Sequence, residues 1–134
     1  LLCAYGSAPG PKTRIAGGLL GHWAFWTRRA VELLDRIHAL ARSDAPIPQD
    51  ILRLAAEITD ANAAAFDPHN GYAGCIPGIH EVLRRQGILR GRWCLDPRET
   101  LSPGQTEEIT RVCAAHPTVA DDAFVAEHRD EWLR

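Results

Sequence analysis

From Thr27 onward, hydrophobic positions recur every three to four residues, which is the period of an amphipathic α-helix. Thr27 suits the N-cap of the first helix, and the Ser-Asp-Ala-Pro run 43–46 ends it. The predicted inward face of this helix carries Ala30, Val31, Leu33, Leu34, Ile37, Leu40 and Ala41. The pattern predicts a helix that buries one apolar stripe against the rest of the molecule.

Four further helices are predicted after residue 46. Pro48 suits the first turn of the second helix, and the third helix begins near Pro77 and ends at Gly87. The Ser-Pro-Gly-Gln run 102–105 combines a capping box with a proline at the first helical position, which predicts the start of the fourth helix. The last helix follows the acidic pair 121–122. The chain is therefore predicted to be mostly α-helical.

The first 26 residues follow a different pattern. Residues 1–5 form a short apolar run that ends at a turn rich in glycine and proline, and Ile15 to Phe25 is again apolar, with several glycines and aromatic residues. A run of this length and character is typical of a buried strand. Two such runs followed by a helix favour the closing part of an α/β arrangement.

Composition narrows the function classes. The chain has 134 residues, 46% hydrophobic and 24% charged, which suits one globular domain. A net charge of −2 provides no basic surface for phosphate backbones, so nucleic acid is not expected as a partner. The longest apolar run, 16–26, is too short to span a bilayer, and no basic region of a signal peptide precedes it. We interpret the chain as cytoplasmic and without a membrane partner.

The four cysteines and the first residues add two expectations. Cys3, Cys75, Cys94 and Cys113 are widely spaced, so buried reduced thiols are expected rather than a disulfide framework or a zinc ribbon. The chain contains no methionine and opens on an apolar run. We therefore expect it to be the rear part of a longer product.

The segment 75–97 is dense in polar residues but does not match a catalytic motif. His80-Glu81 resembles the start of a zinc-protease signature, but Arg84 occupies the place of its second histidine. The glycines of the run 71–78 lack the lysine and hydroxyl residue that end a phosphate-binding loop. Scaffold is the simpler interpretation, and no metal site is predicted.

Lys12 and the aromatic run 21–26 are the remaining candidates for chemistry. Lys12 is the only lysine, and it follows a Pro-Gly-Pro turn where its amine stays in water, which makes it a poor Schiff-base nucleophile. Aromatic residues between a strand and a helix are more often core than ligand platform. His22, within this run, is nevertheless a candidate pocket residue.

The run FDPHNGYAGCIPGIHEVLRRQGILRGRWCLDPRETLSPGQTEEITRVCAAHP, residues 66–117, is similar to the C-terminal region of the dihydrodipicolinate synthase and N-acetylneuraminate lyase family. The resemblance implies a fragment of a (β/α)₈ TIM barrel followed by a helical domain. Residues 1–43 would hold the last one or two strands and the last barrel helix, and residues 44–134 the C-terminal helical domain. Leu1 to Ser7 and Ile15 to Trp23 would be the two strands.

For function, the resemblance implies part of a class I lyase or aldolase that forms a Schiff base with pyruvate or a related 2-oxo acid and needs no cofactor. The Schiff-base lysine and the tyrosine that shuttles protons would lie upstream of Leu1, so no catalytic residue is expected here and the fragment alone should be inactive. Gly6, Ser7 and His22 are the substrate-pocket candidates; Gly6 could equally serve only to make a turn. A homo-oligomer, dimer or tetramer, is expected.

The alternative is a small α-helical interaction module without catalysis. The helical content supports it, whereas the two unpartnered strand-like runs oppose it. Neither interpretation identifies a particular 2-oxo acid, and neither says whether the parent enzyme would cleave or condense its substrates.

Overall fold

The computed structural model describes residues 2, 4–5, 10, 12–43 and 45–134. Most of this part of the chain is helical, as the sequence predicts. The five helices are α1 (Thr27–Ala41), α2 (Gln49–Phe66), α3 (Cys75–Arg85), α4 (Gln105–Ala115) and α5 (Asp122–Trp132). Two 3₁₀ turns, Gly21–Ala24 and Pro68–Asn70, precede α1 and follow α2. None of these helices combines the length and hydrophobicity needed to cross a bilayer.

The prediction of a TIM-barrel fragment is wrong. The described strands, β1 (Ala4–Tyr5) and β2 (Thr13–Arg14), are two residues long and pair antiparallel, whereas neighbouring barrel strands run parallel. Residues 15–20, the centre of the predicted strand Ile15–Trp23, form no strand and are exposed, and a 3₁₀ turn follows them. Two glycines at 17 and 18 weaken strand formation here, and Gly21 has φ +75°, outside the extended region.

The hydrophobic core lies between α2, α3 and α4, which pack against one another, and the turn before α1 packs against α2. Its buried members are Phe25, Trp26, Ala61, Ala64, Ala65, Val82, Ile109, Val112 and Val119. The three alanines belong to α2, and their small side chains let the neighbouring helices approach its backbone closely.

The predicted division of the chain into two domains at residue 43 stays a prediction.

The closest helix approach is between α2 and α3. A Cβ on Gly78 would lie 2.0 Å from the carbonyl oxygen of Ala65, and a Cβ on Gly74 would lie 1.9 Å from Oε1 of Gln105. Neither contact leaves room for any side chain. Gly74 and Gly78 therefore serve close packing, as the simpler interpretation predicted, whereas Gly71 takes a left-handed turn conformation (φ +61°) with no neighbour near its Cβ position.

α1 is fixed at its first turn but only partly covered along its length. The Arg28 backbone N–H donates to Oδ2 of Asp121 (2.9 Å), and the amide of Gln86 donates to Oδ1 of the same carboxylate (3.0 Å). Of the seven apolar side chains predicted to face inward, only Ala30 is fully buried. The single apolar stripe predicted for α1 is thus mostly at the surface of the described structure.

Candidate functional site

Of the three residues predicted to line a substrate pocket, the structure describes His22. Gly6 and Ser7 lie outside the described residues, so no geometry bears on them. His22 lies in the 3₁₀ turn that precedes α1 and is nine-tenths buried. Burial lowers the pKa of its imidazole, because the charged form would lose its hydration. His22 is therefore a neutral, largely enclosed side chain near pH 7.

His22 lines a cleft of about 220 Å³ between α1, α2 and the segment that joins α4 to α5. Apolar side chains form much of its wall, and charged side chains of α1 lie beside them. The full lining is His22, Arg29, Glu32, Leu33, Arg36, Leu54, Ile58, Thr118 and Val119. This cleft is the candidate functional site of the described chain, and His22 is the predicted residue that it contains.

The charged residues of the cleft are held in ion pairs. Glu32 accepts hydrogen bonds from Arg28 (2.7 Å) and Arg29 (2.8 Å), and Arg29, whose bond contributes most, lowers the pKa of this exposed carboxylate. Arg36 pairs with Asp50 of α2 at 2.7 Å. Both lining arginines, 29 and 36, are about half exposed. The cleft therefore has a polar mouth whose guanidinium groups are positioned by carboxylates.

Four side-chain polar atoms are buried without a hydrogen-bond partner among the described residues, those of Trp26 (Nε1), Gln86 (Oε1) and two that lie in or close to the cleft wall. The latter two are Nε2 of His22 and Oδ1 of Asn62. The Asn62 side chain lies beside Gly21, since a Cβ on Gly21 would be 3.1 Å from its Nδ2. Enclosed polar atoms without a partner are uncommon in folded proteins.

Asp67 is the centre of a polar network that joins three elements. It follows α2 in the left-handed conformation (φ 55°), and its Oδ2 accepts from the Gly74 N–H (3.0 Å) and the Ser102 hydroxyl (2.5 Å). Gln105 completes the network through donations to the carbonyls of Ala64 (3.3 Å) and Gly74 (3.0 Å). The hydrogen bonds from Ser102 and Asn70 lower the pKa of Asp67 against the opposing effect of burial.

The predicted capping box at residues 102–105 is half confirmed. The Ser102 N–H donates to Oε1 of Gln105 (3.0 Å), as a capping box requires. The Ser102 hydroxyl, however, donates to Asp67 instead of capping α4, and Gly104 is the N-cap. The serine therefore connects α4 to the end of α2.

Glu81 is the most enclosed charged side chain of the polar segment 75–97. Its carboxylate is 2% exposed and accepts hydrogen bonds from Arg84 (two, both 2.9 Å) and Arg85 (2.8 Å), with Arg92 3.6 Å away. The hydrogen bonds from Arg84 and, to a smaller extent, Arg85 together lower the pKa of Glu81 to about 2, against the opposing effect of burial. Sequence reasoning treated His80-Glu81 as a polar helix flank and missed this ion cluster, although arginines three and four residues after a glutamate are a signal for it.

His80 contacts Cys94 rather than a metal-binding histidine. Its Nδ1 lies 4.0 Å from the Cys94 sulfur, and burial and Glu99 raise the pKa of that thiol. A thiol with a raised pKa is a weak nucleophile. No group of three metal-ligating side chains occurs in the part of the chain that the structure describes. Cys75, Cys94 and Cys113 are free thiols.

No family model matches this chain, and neither a curated protein nor a solved structure matches it significantly. The resemblance of residues 66–117 to the dihydrodipicolinate synthase family accordingly stays a prediction.

Proposed function

We propose that this chain is a small α-helical interaction module that works by contact rather than by chemistry of its own, and that it self-associates. The observation that carries the proposal is an exposed apolar surface at the front of the described structure. Leu19 is 90% exposed and Leu20 is 82% exposed, and Ile15 precedes them with 55%. Large apolar side chains grouped in this way are typical of protein contact sites.

The same surface continues onto α1. The His38 imidazole donates from Nε2 to the Ala16 carbonyl (2.7 Å), and a Cβ on Gly17 would lie 3.9 Å from Leu34. Ala16 and Gly17 therefore lie beside α1, and Leu19 and Leu20 follow them closely along the chain. Val31, one turn before Leu34 on that side, is 42% exposed. We call Ile15, Leu19, Leu20 and Val31 the α1 apolar face.

A second copy of the chain is the partner that the sequence of this face favours. Residues 15–21 carry no charged side chain. Two copies can consequently face each other across a twofold axis without opposing like charges, and each buries the other's leucines. The homo-oligomer predicted from the sequence would form through this face.

The test is sedimentation velocity over a range of protein concentrations. The native chain should sediment faster as its concentration rises, and a Leu19→Glu/Leu20→Glu double variant should stay monomeric at the same concentrations. Leu52→Glu is the matched control, because Leu52 is 62% exposed on α2 and lies outside the α1 apolar face. It should associate like the native chain.

A native chain that stays monomeric over the whole range contradicts the proposal. Equal loss of association in the control also contradicts it, because the effect would then follow general hydrophobicity and not this face. Circular dichroism of each variant establishes that the helices remain.

The second candidate is the lyase part that the sequence resemblance implies. The observation in its favour is that residues 66–117 are held together as one packed part of the chain, by the hydrogen bonds of Asp67 and Gln105 and the close contact at Gly78. In this candidate the chain is a helical unit without catalytic residues. The reactive lysine of the enzyme would lie in another part of the polypeptide. Pyruvate or a related 2-oxo acid would then be the substrate of the parent and not a ligand of this helical unit.

Two observations test the lyase candidate. A continuous reading frame upstream of Leu1 that encodes a lysine within an apolar strand pattern supports it, whereas a start codon directly before Leu1 contradicts it. Borohydride reduction with labelled pyruvate should leave the chain itself unlabelled, since Lys12 is exposed to water. A labelled Lys12 would contradict both candidates, because neither gives this chain a Schiff-base lysine.

A further inference from the structure

The cleft beside His22 is separate from the α1 apolar face. Arg29, Leu33 and Arg36 project from one side of α1 into the cleft lining, while Val31 and Leu34 lie on the opposite side of the helix. A ligand in the cleft and a second copy on the apolar face would therefore not compete for the same side chains. Ligand binding in the cleft therefore does not depend on self-association.

The walls of the cleft define the chemistry of a ligand. Leu33, Leu54, Ile58 and Val119 provide apolar contacts from α1, α2 and the segment before α5. At about 220 Å³ the cleft is smaller than the roughly 300–1,000 Å³ typical of sites for drug-sized molecules. The occupant should thus be small, with an apolar body of a few carbon atoms.

The mouth of the cleft favours an anion. Asp50 neutralises Arg36, whereas Glu32 is shared between Arg28 and Arg29, so the excess positive charge lies at the Arg29 side of the mouth. Arg29 uses one N–H on Glu32 (2.8 Å) and a longer contact from Nε to the Ala120 carbonyl (3.4 Å). A guanidinium has five N–H donors, so others remain without a partner among the described residues. They are suited to a planar carboxylate.

One polar side chain of the cleft wall is almost fully buried. His22 is nine-tenths buried, lines the cleft, and has an Nε2 without a partner among the described residues. Asn62, whose Oδ1 is also unpartnered, lies beside the neighbouring Gly21. The imidazole of His22 therefore places a buried polar ring in the wall of the cleft.

We propose that this cleft binds a small monocarboxylate with a short apolar chain. The carboxylate meets the unused N–H groups of Arg29 at the mouth. The chain of the ligand lies along Leu54 and Ile58. A phosphate or sulfate would leave this apolar wall uncovered, and an amine would oppose the guanidinium groups.

The probe is hexanoate, with hexylamine and hexanol as ligands of similar length and different charge. Binding is followed by NMR through the imidazole resonances of His22, which lies in the cleft wall. Hexanoate should shift them saturably with a dissociation constant on the order of 1 mM, as expected for so small a ligand. Hexylamine and hexanol should produce weaker shifts without saturation over the same range.

Variants separate specific recognition from general charge. Arg29→Gln should weaken hexanoate binding about fivefold to tenfold, because a charge-assisted hydrogen bond is lost. Arg98→Gln is the matched control, since Arg98 is also paired with a carboxylate, that of Asp96, but lies outside the cleft. It should bind hexanoate like the native chain.

Three results would overturn the proposal. One is the absence of saturable hexanoate binding to the native chain. Another is equal saturation by hexylamine or hexanol, which would make the cleft merely apolar. The third is unchanged hexanoate affinity in a folded Arg29→Gln variant. If that variant fails to fold, the comparison of the three ligands on the native chain still decides.

Discussion

Glu81 illustrates how single residues in the polar segment stabilise the fold. Its carboxylate is almost fully enclosed, yet the partly exposed Arg84 and Arg85 both donate to it. The Arg85 guanidinium also donates to the Thr106 carbonyl (3.2 Å), which links α3 to the first turn of α4. A buried charge is tolerated when its lone pairs are satisfied in this way, and it becomes costly when a partner is removed.

Glu81→Gln should lower the free energy of unfolding at pH 7 by about 1–3 kcal/mol, because the hydrogen bonds from two guanidinium groups lose their charged acceptor. The native pKa of Glu81, about 2, is below the ordinary value of 4.5. The stabilisation that ionised Glu81 contributes is therefore fully present above pH 4.5, the pKa of the unfolded state, and declines as the pH falls towards 2. Urea unfolding of both proteins at pH 7 and pH 3 measures this, and the gap between them should shrink at pH 3.

Glu131→Gln is the matched control, because Glu131 is an exposed residue of α5. Its unfolding midpoint should equal that of the native chain at both pH values. A Glu81→Gln variant as stable as the native chain at pH 7 would show that the cluster contributes nothing net.

Among the secondary-structure elements, the periodic apolar pattern of the sequence predicts the helices but not the segments that connect them. α1 to α5 begin and end close to the predicted positions, since each has an apolar face, but the predicted N-cap Thr27 is wrong: Trp26 is the N-cap of α1, and the Thr27 hydroxyl donates to the Trp23 carbonyl. The strand predicted at Ile15–Trp23 is wrong because an apolar run has no period that distinguishes a buried strand from an exposed segment. The contact of Asp67 with Ser102 spans 35 residues, so no local pattern could indicate it.

The close approach of α2 and α3 makes Gly78 a sensitive position. Gly78→Ala should cost about 2–3 kcal/mol or more, because its Cβ would meet the Ala65 carbonyl, which is backbone and cannot move aside. Gly71→Ala is the comparison: Gly71 has φ +61° but nothing within 4 Å of a Cβ, so only the left-handed strain of about 1 kcal/mol is expected. Denaturant midpoints of both variants test the order, and a Gly78→Ala variant no less stable than Gly71→Ala would contradict the packing described here.

As a whole, the described structure combines a hydrophobic core with an apolar surface that is exposed to solvent. α2, α3 and α4 enclose the core residues, whereas α1 leaves most of its apolar stripe partly exposed beside Leu19 and Leu20. The sequence predicted that this stripe faces inward, because period alone identifies an apolar face but not the surface that covers it. In our account a second copy of the chain provides that cover.

The most direct test of this account is amide hydrogen exchange measured at low and high protein concentration. We expect protection of residues 15–20 and of the amides around Val31 to rise with concentration, because these backbone groups become enclosed between two copies. Exchange in α3 and α4 should not change. Equal exchange of residues 15–20 at both concentrations, or a rise in protection confined to other surfaces, would contradict self-association through the α1 apolar face.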